Sequence, residues 1–121
     1  MTHDLSPLRE LFNKTRKGIS AIGDEIRQII ILVLMEGPDE GMRVGDITAH
    51  THLSQPAVSH HLKILCDANL LSLNKVGTMN YYQLNPDKEA ITDMLHLCQG
   101  ILEVMVDCES DNENNKWSSK I

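Results

Sequence analysis

The stretch from Leu53 to Ala68 constrains this chain most, because it specifies a short helix with two unlike faces. Ser54 is a good N-cap, and Pro56 is tolerated in the first turn, where its missing amide would have had no intrahelical partner. Val58, Leu62 and Leu65 recur at helical spacing and point inward, which leaves Gln55, Pro56, Ser59, His60 and Lys63 on the opposite side. Amide, hydroxyl and imidazole groups can exchange hydrogen bonds with base edges in a major groove, and Lys63 can meet a phosphate. Taken alone, such a helix reads more simply as an amphipathic element with a solvated face. Its neighbours decide.

A chain of 121 residues has room for a single core, yet is small enough that burial against a second copy adds materially to stability. Cys66, Cys98 and Cys108 are odd in number and lack close spacing, which argues against a disulfide framework and for a reducing compartment. The longest apolar run, Ile29 to Met35, is too short to span a bilayer, and the start lacks the regions of a signal peptide. A soluble, cytoplasmic protein without a membrane partner is expected. The formal net charge of -6 argues at first against nucleic acid, but it is unevenly spread. Residues 41 to 85 hold Arg43, Lys63 and Lys75 against Asp46 and Asp67, a balance of +1, with four of the six histidines. Residues 86 to 121 hold three cations against eight acids, a balance of -5. The middle is therefore free to approach phosphate, with a thin positive footprint and an affinity that should fall with salt.

In chain order, Leu5-Ser6-Pro7-Leu8 opens a first helix with Ser6 as cap, running to about Lys17 before Gly18. Leu8, Leu11 and Phe12 form its apolar stripe, and Arg9, Lys14, Arg16 and Lys17 a solvated basic face. A second helix starts at Asp24 as N-cap, shows Ile26, Ile29, Ile30, Val33 and Leu34 as a wide buried face, and stops at Gly37-Pro38. Val44 to Ala49 reads as a short third helix, so that with the Leu53–Ala68 helix it makes a helix-turn-helix. Leu70 to Leu73 and Asn80 to Leu84 follow as two β segments reversed at Val76-Gly77-Thr78, the position of a wing. Asn85-Pro86-Asp87 caps a last helix to about Asp107. Its Ile91, Met94, Leu95, Cys98, Ile101, Leu102 and Met105 repeat near a heptad and call for a partner. The polar tail from Ser110 reads as disordered, and Trp117 has no assigned role.

That order of elements, with the string Leu-Ser-Gln-Pro-Ala-Val-Ser-His-His-Leu-Lys-Ile-Leu, resembles the ArsR/SmtB family of winged helix-turn-helix repressors over about residues 20 to 100. Asp24 and Arg27 are similar to the family's Asp-Pro-x-Arg element, with Glu25 in place of the proline, and Tyr81-Tyr82-Gln83-Leu84-Asn85 to its second wing strand. The resemblance implies a mainly α fold with a small β-hairpin wing: residues 1–18 an N-terminal dimerisation helix, 19–86 the winged core, 87–109 a C-terminal dimerisation helix and 110–121 the tail. It further implies a homodimeric repressor on double-stranded DNA, its two recognition helices in successive major grooves of an inverted repeat. By position, Gln55, Ala57, Ser59 and His60 would face bases, while Ser54, His61, Lys63 and, on the wing, Lys75 would approach the backbone. His52 occupies the turn position where such motifs usually hold a left-handed glycine, a conformation costly for histidine.

Many relatives of that kind respond to metals or oxidised thiols, and the ligand patterns of the resemblance are largely missing here. The third helix carries no cysteine, and the second has none either. Asp93 and His96 are i, i+3 neighbours, and Asp107 lies near the same face, so in an antiparallel helix pair they could meet Asp107 or Cys108 of the other chain around zinc or another divalent metal. Surface acids beside a solvated histidine explain the same residues more simply, so no cofactor is expected. Neither a nucleophile-base pair nor a phosphate-binding glycine loop is present, which argues against an enzyme. A winged-helix module that binds protein rather than DNA is the competing reading, suggested by the acidic total.

Overall fold

In the computed structural model, which describes residues 4–111 and side chains through Asp107, the chain runs α1 (Ser6–Ile22), α2 (Glu25–Glu36), α3 (Val44–Thr48), α4 (Gln55–Asp67), β1 (Leu71–Val76), β2 (Met79–Leu84) and α5 (Glu89–Asp111). This is the mainly helical architecture with one hairpin that the sequence predicts. The tail beyond Asp111, with Trp117, lies outside the described residues.

Two features of α1 differ from expectation. Asp4 Oδ1 accepts the Ser6 amide at 3.0 Å, so Ser6 is the first helical residue and not the cap. The helix also continues through Gly18 to Ile22, placing the expected boundary at residue 18 inside a helix. Gly18 is buried with the Met94 side chain of α5 lying 3.4 Å from where a Cβ would stand. Close approach of α5 offsets the roughly 1 kcal/mol that a mid-helix glycine costs.

Asp24 caps α2 as predicted, its Oδ2 accepting the Arg27 amide at 3.0 Å. The buried face of α2 is narrower than its five branched residues suggest: Ile30 and Leu34 are buried, whereas Ile29 is 37% exposed. Ile30, Ile47, Val58, Leu62, Leu65 and Leu71 form the centre of the core, so α2, α3, α4 and the first wing strand close around one another.

The end of α4 is held by a paired backbone motif, Leu70 N donating to Leu65 O at 3.1 Å and Asn69 N to Cys66 O at 3.0 Å. Asn69 takes the left-handed conformation this requires, φ 60, and is the non-glycine residue with positive φ among those described. His52 therefore does not adopt the left-handed turn conformation expected of its position. Thr51 stabilises that turn instead, donating its hydroxyl to Thr48 O at 2.9 Å and accepting the Leu53 amide at 3.2 Å.

The wing is longer than the two segments read from the sequence. β1 and β2 pair antiparallel from Leu71↔Leu84 to Val76↔Met79, which leaves a two-residue turn, Gly77-Thr78, with positive φ at Gly77 alone. A glycine at the first central position is what a type II′ hairpin needs. At its root, Met42 and Tyr82 exchange backbone hydrogen bonds of 2.9 and 2.7 Å, tying the wing to the loop before α3.

α5 starts at Glu89, not Asp87, because the Asp87 carboxylate accepts the Glu89 amide at 3.0 Å from outside the helix. Its apolar residues form two adjacent stripes where the sequence suggested one. Leu97 is buried, and Ala90, Met94, Ile101 and Val104 are half-buried beside it on the α1 side. Ile91, Leu95, Leu102 and Met105, 52 to 58% exposed, with exposed Cys98 between them, form the second stripe at strict 4-3-4-3 spacing.

Candidate nucleic-acid interface

α4 is built from its inner face outward. Val58, Leu62 and Leu65 have no exposed surface, which fixes the rotation of the helix on the core and so decides which side chains look out. Ser54 adopts the extended N-cap conformation and its hydroxyl accepts the Ala57 amide at 3.4 Å. Gln55, Pro56, His60 and Lys63 are exposed, with Ala57 and Ser59 half-buried at the margin. This row contains no large apolar side chain. Lys63 Nζ lies 3.4 Å from Asp67 Oδ2, a pairing between side chains 74% and 60% exposed. Exposed pairs at this spacing are worth only about 0.3–0.5 kcal/mol, so the ammonium is easily released to a phosphate.

The wing adds Lys75, exposed on β1 opposite Asn80, beside the exposed tip residues Val76 and Met79. Gln83 Nε2 donates to Ser72 Oγ at 3.3 Å across the two strands and braces them.

His61, which the resemblance sets toward the DNA backbone, is turned to the molecule's own interior. Its Nδ1 lies 3.2 Å from the Arg27 guanidinium and 3.9 Å from Asp24 Oδ2, and only 19% of its side chain is exposed. The hydrogen bond from the Arg27 amide, then the charge of Arg27, hold the Asp24 carboxyl below its usual value, with partial desolvation acting against them. His60, one position earlier, remains exposed with its ring centroid 6.0 Å from that of His61. His50 is engaged locally, Nδ1 lying 2.9 Å from Asp46 O.

The metal-ligand candidates of α5 have unlike surroundings within one chain. Asp93 is turned to α1, its Oδ2 3.6 Å from Lys14 Nζ, while His96 is exposed and Asp107 half-buried. The Cys108 side chain lies outside those described. Among the described residues no three His, Cys, Asp or Glu side chains converge as a metal site would require. Burial, with a smaller contribution from Asp67, pushes the Cys66 thiol up, away from the thiolate form that makes a cysteine reactive. No helix among the described residues is long and apolar enough to cross a membrane.

Comparison with known proteins agrees with this geometry. Residues 24–72, which run from the α2 cap to the second residue of the wing, match the profile of "Bacterial regulatory protein, arsR family". The chain is 45% identical over 65 residues to the transcriptional repressor SdpR of Bacillus subtilis, covering 54% of this chain and 69% of that protein. It is 35% identical over 79 residues to the arsenical resistance operon repressor of the same organism, covering 65% and 73%. Among solved structures, an ArsR-like transcriptional regulator from Rhodococcus shares the fold with a TM-score of 0.74 at 17% identity, over 91% of this chain and 96% of that one. NolR from Sinorhizobium fredii aligns with a TM-score of 0.61 at 26% identity, over 84% and 96%. The capped recognition-type helix, the wing and these relationships together place the chain in the arsR family of bacterial regulatory proteins, a family of DNA-binding transcriptional regulators.

Proposed function

We propose that the protein is a cytoplasmic, homodimeric transcriptional repressor that reads an inverted repeat in double-stranded DNA through two copies of α4. Gln55, Ala57, Ser59 and His60 meet base edges, while Ser54, Lys63 and the wing's Lys75 meet phosphates. The observation that carries this reading is the unlike surface of α4, sealed into the core along Val58, Leu62 and Leu65 and polar on its free side. Pairing is supported by the 4-3-4-3 stripe of α5, which has the spacing of a helix seam and is left uncovered by the described residues of its own chain. Two-fold pairing would set the α4 helices in grooves about 34–36 Å apart.

The test is a binding titration against the duplex that the wild-type protein enriches from a randomised pool. Affinity should fall steeply with salt, and Gln55→Ala and His60→Ala should each lose about 1–3 kcal/mol of discrimination at the base they face. Failure to enrich any duplex at low salt, with both variants equal to the parent, would sink the proposal. A stable complex with another protein, indifferent to Lys63→Ala and Lys75→Ala, would favour the interaction-module reading.

A further inference from the structure

Arg27 and His61 make a joint that the DNA-reading surface does not itself explain. The Arg27 guanidinium donates from Nε to Ala21 O at 2.7 Å and from one terminal nitrogen to Ser20 O at 3.2 Å. Both acceptors belong to the last turn of α1, whose carbonyls have no partners within their own helix. The other terminal nitrogen lies 3.2 Å from His61 Nδ1 on α4. A guanidinium has donors only, so His61 must accept, which places its ring proton on Nε2 and keeps the ring neutral. Arg27 is thereby hydrogen-bonded at once to the end of α1 and to the recognition helix, while its own amide holds the α2 cap, Asp24. Three helices meet at one side chain.

We propose that Arg27 is a positioning residue for DNA reading, and that through neutral His61 it fixes the recognition helix α4 against the end of α1. This rests on the DNA-binding reading above, but it assigns residues that touch no DNA. Lysine cannot replace the arginine, because a single ammonium on a flexible stem does not present the planar fork that spans two helices.

The experiment uses the full chain and the duplex it enriches from the randomised pool, with circular dichroism confirming that each variant is folded. At pH 7.5, Arg27→Ala and Arg27→Lys should each lose about tenfold in affinity, in keeping with a charged hydrogen bond. His61→Phe should lose a similar factor. His61→Asn, whose amide oxygen can accept where Nδ1 accepts, should stay within about twofold of wild type, a rescue that a merely space-filling role does not give. His61→Phe at wild-type affinity, or His61→Asn binding no better than His61→Phe, overturns the proposal. The nitrogen-15 signals of His61 in the DNA-free protein at pH 7.5 give a separate decision: the Nε2–H tautomer is expected, and the Nδ1–H tautomer overturns the joint whatever the DNA result. If no duplex is enriched, the DNA reading fails and the positioning role falls with it, even where the tautomer shows the joint itself to exist.

Discussion

α4 and α5 are both amphipathic helices of the same chain, and they differ in what covers them. The apolar row of α4, Val58, Leu62 and Leu65, is sealed in the core, and what it leaves outside is amide, hydroxyl, imidazole and ammonium. α5 buries one row, centred on Leu97, against α1 and leaves a second row of Ile91, Leu95, Leu102 and Met105 more than half exposed. Water tolerates the first arrangement and penalises the second, at about 25 cal/mol for each Å² of apolar surface left uncovered. The recognition helix is therefore finished within one chain, whereas the described residues leave the second row of the last helix open. The pairing proposed above would cover it, because a 4-3-4-3 row can pack against its own two-fold image.

This contrast can be broken from either side. The largest effect is expected on α4, where Leu62→Ala should cost about 2–5 kcal/mol of unfolding free energy, since Leu62 is fully buried and its removal leaves a cavity. Urea unfolding measures it, and the loss should not depend on protein concentration. On α5, the pair Leu95→Lys and Leu102→Lys should weaken self-association by about a hundredfold or more, a difference near 2.8 kcal/mol or above, read by sedimentation equilibrium. The monomer should keep its helical signal, because both positions are already more than half exposed in a single chain. A loss of fold instead of a loss of association would show that the second row belongs to the monomer's core. The smallest effect lies between α2 and α4. Asp24 is held below its ordinary pKa of 3.8, so its carboxylate contributes stability above that pH and the contribution disappears as pH falls through the lowered value. The stability gap between wild type and Asp24→Ala should be constant from about pH 5 to 8 and close below about pH 4, as followed by thermal unfolding.

The winged helix-turn-helix is legible in the sequence wherever local chemistry and the fold agree. Ser54 caps the helix whose start it marks, and Asp24 does likewise, since an N-cap depends only on residues three positions away. Some departures are local, as where Asp4 and Asp87 accept amides two residues on and shift the starts of α1 and α5, but the larger ones arise where a residue's role depends on a neighbour distant in sequence. Heptad spacing marks Met94 and Leu95 alike as apolar, but only the presence of α1 separates the row it covers from the row it leaves open. Gly18 reads as a helix end and is instead the place where Met94 comes close. His61 was legible in part, because it stands three residues after Val58 and four before Leu65 and so shares the inner flank of α4. Its partner was not, since nothing in the sequence joins position 27 to position 61. Asn69 carries a further missed local signal, an asparagine just past a helix end, where a left-handed turn is commonly made.

The central claim, that two copies of α4 read major grooves, is tested most directly by methylation interference on the enriched duplex. Methyl groups on guanine N7 stand in the major groove, so the account predicts two blocks of interference centred about 10–10.5 base pairs apart, with the Gln55→Ala protein losing sensitivity at the same position in each. A single block, or interference from minor-groove adenine methylation alone, would contradict it.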